Sequence, residues 1–202
     1  MSGIMLDGVT GAGKTQTLRA LMHHPDFAGL LGAGRVFMED ETFGEVMSEM
    51  TDRRIPQERH LWRIENVLSS LDEAVGLSDS AGFVLERFHL SYYALLPDWG
   101  LYAELDRRLA SAGFAVALLW IPESEHTNRC LDRVDRRDAG WTEDMVAHYG
   151  SRTAVLQAIA ESQRRREAAV AKTCLPVTKI DTTAQDWQTY ANTIVEIWKS
   201  KK

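Results

Sequence analysis

The stretch Gly8-Val9-Thr10-Gly11-Ala12-Gly13-Lys14-Thr15 decides how this chain is read. It fits the pattern G-x-x-x-x-G-K-[ST] in full and follows a short apolar run, Gly3 to Leu6. Phosphate binding needs that spacing. Glycines let the backbone wrap so that successive N–H groups turn inward on phosphate oxygens, and the helix starting near Lys14 adds its positive N-terminal end. Lys14 then reaches the β- and γ-phosphates, and Thr15 offers a hydroxyl to Mg²⁺. The residues expected on a bound nucleotide are therefore Gly8, Gly11, Ala12, Gly13, Lys14, Thr15 and Gln16. The helix should carry Leu18, Leu21 and Met22 inward and stop near His24, because Pro25 disfavours helical geometry in the residue before it.

Working outward, short apolar runs alternate with helical patterns, which is the signature of a parallel sheet wrapped by helices. The strand candidates are Gly3 to Leu6, Arg35 to Met38, Gly82 to Leu85, Ala115 to Ile121 and Leu175 to Ile180. Between them, Gln57 to Val75 repeats Leu61, Ile64, Leu68, Leu71 and Val75 at steps of three and four, and Ser151 to Lys172 carries Val155, Ile159 and Val170. A last helix, about Ala184 to Lys199, places Trp187, Tyr190, Ile194 and Ile197 on one side, with Thr183 or Asp181 as its cap. No repeat or linker interrupts this order, so one α/β domain spanning 1–202 is expected.

Composition agrees. A chain of 202 residues can bury about 70% of the surface its unfolded form exposes. With 45% hydrophobic and 26% charged residues it is not a disordered tail, a collagen-like chain or a disulfide scaffold. A net charge of −6 removes whole-molecule attraction to polymeric nucleic acid or an anionic membrane, so any anion site must be local. Cys130 and Cys174 lack metal-ligand spacing and read as free thiols. The N-terminus shows neither the basic nor the long apolar region of a signal peptide, and no run of about 18 apolar residues follows, so a soluble, cytoplasmic protein is expected.

Two further segments bear on chemistry. In Phe83-Val84-Leu85-Glu86-Arg87 an apolar strand ends in an acid and a base, where sites of open α/β sheets lie. Glu86 would orient Mg²⁺ and Arg87 would grip a substrate oxygen or phosphate, the competing reading being a surface ion pair. In the segment from Arg129 to Arg137, helical winding at about 100° per residue puts Arg129, Arg133, Arg136 and Arg137 on one side. A face that basic suits a lid, about 124–144, closing over transferring phosphates, against a solvated helix as the plainer alternative. Arg164-Arg165-Arg166 points in three directions and reads as solvated helix surface.

With these residues in place, the sequence resembles the deoxynucleoside kinase and thymidylate kinase group of P-loop kinases. The stretch Gly8 to Thr15 looks like their phosphate loop, and Leu85 to Ser91 looks like their D/E-R-S or D-R-Y element. Pro122-Glu123 followed by Cys130 to Asp138 is similar to their lid, and Lys179 to Gln185 to the loop entering their last helix. The resemblance implies a three-layer P-loop NTPase fold with a five-stranded parallel sheet of order 2-3-1-4-5. It also implies ATP with Mg²⁺ as donor, and transfer of the γ-phosphoryl to a nucleoside or nucleoside monophosphate. By it, Glu39 is the carboxylate that takes the acceptor's proton, with Glu41 the competing alignment. Glu86 and Thr15 are Mg²⁺-associated, Arg87 holds the acceptor's reactive end, and Arg133, Arg136 and Arg137 are lid arginines. Arg129, Arg133 and Thr183 fall toward the donor nucleotide. This sequence differs in placing Asp40 after Glu39, where those kinases usually have proline, and Phe88 where many have serine.

Acids Glu39, Asp40, Glu41, Glu45 and Glu49 come without a base among them, which favours a hydroxyl acceptor needing a proton acceptor over a phosphate already anionic. Trp62, Arg63, Tyr92, Tyr93 and Trp99 are candidates to hold a base, though aromatics at helical spacing are more often core. Three alternatives stay open. The phosphate loop reads only the donor, so the acceptor could be an antibiotic, sugar or metabolite. A GTPase is suggested by Thr178-Lys179-Ile180-Asp181 and by Asp79-Ser80-Ala81-Gly82. The third is a nucleotide binder without turnover. Homodimers are common for such folds, but no exposed stripe picks out an interface.

Overall fold

The apolar runs become the strands of one parallel sheet: β1 (Ser2–Gly8), β2 (Arg35–Phe37), β3 (Gly82–Glu86), β4 (Phe114–Trp120) and β5 (Val177–Asp181). Their order is β2-β3-β1-β4-β5, the 2-3-1-4-5 arrangement expected from the resemblance. This is a computed structural model, and it describes residues 2–43, 57–77, 81–132 and 140–201. The central strands β1, β3 and β4 are covered on both faces, which is why Phe83 to Leu85 and Phe114 to Leu119 are unbroken apolar runs rather than alternating ones. At the edge, β5 alternates, with Ile180 buried between exposed Lys179 and Asp181.

Helices lie on both faces. On one, α1 (Lys14–Met22), α2 (Phe27–Leu31) and α9 (Trp187–Lys199) set Leu18, Leu21, Leu30, Ile194 and Trp198 against Ile4, Leu6, Val84 and Ala117. On the other, α4 (Gln57–Leu77), α5 (His89–Leu95) and α6 (Ala103–Ser111) set Ile64, Leu71, Tyr92 and Leu105 against Met5, Leu85 and Val116. The long α8 (Arg152–Val170) joins both cores, through Val155 and Ile159 to the first and Ala169 to the second. Two shorter helices, α3 (Glu39–Thr42) and α7 (Trp141–Tyr149), flank the C-terminal edge of the sheet. Neither cysteine is in a disulfide: Cys130 Sγ donates to Thr10 O at 3.0 Å and Cys174 Sγ to Asp106 Oδ2 at 2.8 Å. Among the described residues no helix is long and apolar enough to cross a membrane.

Three local expectations need correction. Met22 is 48% exposed, because the inward stripe of α1 runs through Lys14, Leu18 and Leu21 and the next residue turns about 100° away. The cap of α9 is Asp186, whose Oδ1 accepts the Thr189 N–H at 3.1 Å, so that helix starts at Trp187 rather than Ala184. Asp181 accepts from Thr183 N and Oγ1 instead, at 2.8 and 2.6 Å. Arg129 does not lie on an open basic face. Thr127–Asp132 winds as a π-helical turn, which advances by less than about 100° per residue, and Arg129 is buried with Cys130 and Leu131.

Candidate active site

Strand β1 runs between β3 and β4, so the chain leaving it at Gly8 enters the crevice where the sheet's connections diverge. The register pairs Leu6 with Glu86 and Gly8 with Leu119. Glu86, Arg87 and the phosphate-binding loop therefore emerge side by side. Gly11 (φ +80°) and Gly13 (φ +91°) hold the loop's curvature. A Cβ on Gly11 would lie 2.7 Å from the Arg129 carbonyl oxygen, and one on Gly13 would lie 2.3 Å from the Trp187 ring. No side chain caps α1 and no acid lies in its first turn, so the N–H groups at its start and its dipole are left for an anion.

Lys14 is 5% exposed and its Nζ donates to Val9 O at 3.2 Å. Burial, with Arg87 nearby, pulls its pKa down to about 7, against the opposing pull of Glu39 and Glu86. Between about pH 7 and 10.5 the unfolded chain holds a proton on Lys14 that the folded chain lacks, so this group's contribution to stability rises with pH across that window. Phosphate oxygens would restore the charge. Nucleotide binding at pH 8 is expected to take up about one proton, measured calorimetrically in buffers of different ionisation enthalpy. Binding without proton uptake would mean that Lys14 is already charged in the free protein.

Glu86 is 2% exposed, and burial raises its pKa. Thr15 Oγ1 donates to Glu86 Oε1 at 3.4 Å, which places a hydroxyl beside a carboxylate, the hard oxygen donors that suit Mg²⁺. Arg87 is not a surface residue paired with Glu86. It is 8% exposed, adopts φ +58°, which few non-glycine residues do, and donates its backbone N–H to Leu6 O at 2.9 Å. Its Nε lies 3.1 Å from Glu39 Oε2 in an ion pair, without an aligned hydrogen bond. Glu39 in turn donates its backbone N–H to Glu86 Oε2 at 3.4 Å. Glu41 faces elsewhere, pairing with Arg35 and accepting the Met38 N–H at 3.1 Å. Helix α3 is held by Thr42 Oγ1 donating to Glu86 O, Tyr92 Oη donating to Thr42 O and Arg63 Nη1 donating to Phe43 O.

Arg133, Arg136, Arg137, Glu45, Glu49 and Asp79 lie outside the described residues. Arg129 donates from Nη1 to Thr182 O at 2.6 Å, with its Cζ 5.8 Å from the Trp187 ring centre, so it braces the loop after β5. Thr183 is exposed on that loop. Of the aromatic candidates, Tyr92 and Tyr93 are core, Trp99 packs on Tyr93 and Trp62 is 60% exposed. A cavity of about 70 Å³ beside Val9 and Thr10 is walled instead by Phe43, Trp141 and Tyr149, with Arg87 and Arg166 supplying cations. Arg166 was not expected here: it is 3% exposed and pairs with Asp7, the residue just before the loop. A signal existed, since Val155, Ile159, Gln163 and Arg166 fall at helical steps and all four are buried.

The guanine-reading pattern is not set up as such. Lys179 pairs with Glu167 and lies over Trp120, and Asp181 is engaged by Thr183. Gly82 pairs with Ser2 at the N-terminal ends of β3 and β1, the opposite end of the strands from the loop Gly8 to Thr15.

The sequence matches no protein-family model and no curated protein. Solved structures do match. A deoxyadenosine kinase from M. mycoides with the products dCMP and a flexible dCDP bound is 14% identical, with TM-score 0.56, over 98% of this chain and 99% of that one. The same kinase with dATP bound gives 12% identity and TM-score 0.50 over 97% and 98%. Likeness at these identities is a likeness of fold.

Proposed function

We propose that this chain is an ATP-dependent phosphotransferase that moves the γ-phosphoryl of Mg·ATP to a nucleoside or nucleoside monophosphate. The observation that carries the reading is the Glu39–Arg87 pair, 3.1 Å apart, at the strand ends beside Lys14 and Thr15. One face of the crevice is built for phosphates and the other offers a carboxylate and a guanidinium to an acceptor. The likeness of fold to a deoxyadenosine kinase solved with bound nucleotides supports the nucleoside branch.

In this reading the amides of Gly8 to Gln16 cradle the donor phosphates, and Lys14 stabilises charge on the transferring group. Thr15 and Glu86 would hold Mg²⁺, which neutralises phosphate charge when bound. Glu39 accepts the acceptor's proton while Arg87 holds the oxygen that attacks. Arg129 and Thr183 shape the donor-base loop, and Arg133 and Arg137 are proposed as lid residues on the strength of the resemblance alone. Most of the acceleration comes from positioning and fixed charges, since phosphoryl transfer asks little covalent chemistry of the protein.

A second reading keeps the donor and changes the acceptor to a sugar or small metabolite, because the cavity's lining of Phe43, Trp141 and Tyr149 with Arg87 and Arg166 carries no group that singles out a nucleoside base. One experiment separates the two: acceptor-dependent ADP release from Mg·ATP across nucleosides, nucleoside monophosphates and unrelated alcohols, with Lys14→Ala as the blank. The expected outcome is release with a nucleoside or monophosphate. Release with only a non-nucleoside alcohol selects the second reading, and silence with ATP still bound overturns both.

A further inference from the structure

Asp7 is wholly buried at the end of β1 and gathers hydrogen bonds from three elements. Its Oδ1 accepts the Gly8 N–H at 2.7 Å and the Arg166 Nε–H at 2.8 Å, and its two oxygens lie 3.0 and 2.9 Å from the Ser91 hydroxyl. Arg166 completes the cluster. Its Nη2 donates to Ser91 Oγ at 3.0 Å, and its Nη1 donates to Ser162 O at 3.0 Å and Ser162 Oγ at 2.5 Å. Ser91 stands one turn after Arg87, and Arg166 borders the same cavity as Val9, Thr10 and Arg87.

Burial would push the Asp7 carboxyl up, but the Arg166 charge and hydrogen bond, aided by Arg87 and Lys14, hold it below the usual carboxylate range. The pair is thus ionised. A buried ion pair is a weak source of stability, because well-packed apolar side chains often serve as well, so what this one supplies is geometry. Its guanidinium fork spans three partners at fixed angles, which an ammonium cannot do.

We infer that Arg166 is a positioning residue for phosphoryl transfer: through Asp7 it fixes the first amide of the phosphate-binding loop in register with the acceptor-side elements α5 and α8. The inference rests on the phosphotransferase reading above. Transfer depends on sub-ångström placement of donor against acceptor, and misplacement by about 1 Å costs roughly 100-fold. The loop's entry and the turn carrying Arg87 are tied to one side chain, so loosening it disturbs both partners at once.

The test compares Arg166→Met, Asp7→Asn and the double variant Asp7→Leu/Arg166→Met in the full chain, reading melting temperature, kcat, both KM values and the Mg·ATP dissociation constant. Each single variant leaves a buried partner stranded and is expected to melt lower. The double variant should recover wild-type melting, yet lose at least about tenfold in kcat or in Mg·ATP affinity, a larger change than in acceptor KM. Both parameters unchanged at wild-type melting would show the cluster to be structural only. Where the double variant does not fold, Arg166→Lys answers the question. It keeps the charge but cannot span Asp7, Ser91 and Ser162, so unchanged kcat and nucleotide affinity in it overturn the inference. A wild-type chain silent across every acceptor sinks the phosphotransferase reading by itself, while the nucleotide affinities of the variants still decide whether Arg166 sets the loop.

Discussion

Lys14→Met is expected to abolish detectable transfer and at the same time to raise the melting temperature of the ligand-free protein. The two effects have one cause. Lys14 is 5% exposed, and its ammonium donates to the carbonyl oxygen of Val9 at 3.2 Å. Burial disfavours the charge strongly enough to bring the pKa to about 7. Met fills a similar volume without the charge, which should add on the order of 1 kcal/mol, or roughly 2–4 °C in a chain of this size. Transfer loses the cation facing the phosphates, a loss of at least about 10²–10³-fold in kcat. Thermal melts and ADP release on the same preparation check both halves. A lower melting temperature would mean that Lys14 is held mainly by Glu39 and Glu86 rather than opposed by burial.

Glu39→Gln is the second large effect, and it reports on the acceptor. If a hydroxyl attacks, its proton needs a base, and loss of the carboxylate should lower kcat by about 10²–10⁴-fold. Stability should fall as well. The Glu39 side chain is 39% exposed and screened by water, but the Arg87 guanidinium it pairs with is buried, so the variant is expected to melt lower than wild type while still folding. With a nucleoside monophosphate, whose phosphate oxygen is already anionic, the loss should stay below about tenfold, and comparing the two acceptors in one variant reads the difference directly. Glu41→Gln is the control, because Glu41 pairs with Arg35 away from the crevice. A larger loss in Glu41→Gln than in Glu39→Gln would exchange their roles.

The tight turn from Gly8 to Thr15 was legible because its residues are contiguous and its glycines stand where φ is positive. The strands were legible for a related reason: central strands covered on both faces must be apolar throughout, and Phe83 to Leu85 and Ala115 to Leu119 are. Glu86 and Arg87 could be placed at a strand end, but Arg87's backbone strain and its pairing with Glu39 are properties of the assembled crevice. Arg166 was missed because three consecutive arginines look alike in composition, and its partner lies 159 residues away. Only the buried stripe through Val155, Ile159 and Gln163 singles it out from exposed Arg164. Arg129 departs from the helical spacing for another reason: the chain makes a π-helical turn that nothing in the sequence distinguishes from a regular helix, and that changes which side chains share a face.

The last helix has a consequence for how the protein is made. Trp187 lies against Gly13, and Trp198 donates its indole N–H to Ser2 Oγ at 3.0 Å, so α9 backs both the first strand and the phosphate-binding loop. On the ribosome, residues 187–199 emerge after every strand has been synthesised. A nascent chain without them already carries the loop's glycines, Lys14 and Thr15, but not the surface those residues are pressed against. Contacts between residues far apart in a sequence form slowly. Until α9 has emerged, the apolar side of β1 that awaits it stays uncovered and the glycine-rich loop lacks its backing, so the proposed nucleotide site is complete only once residues 187–199 have docked.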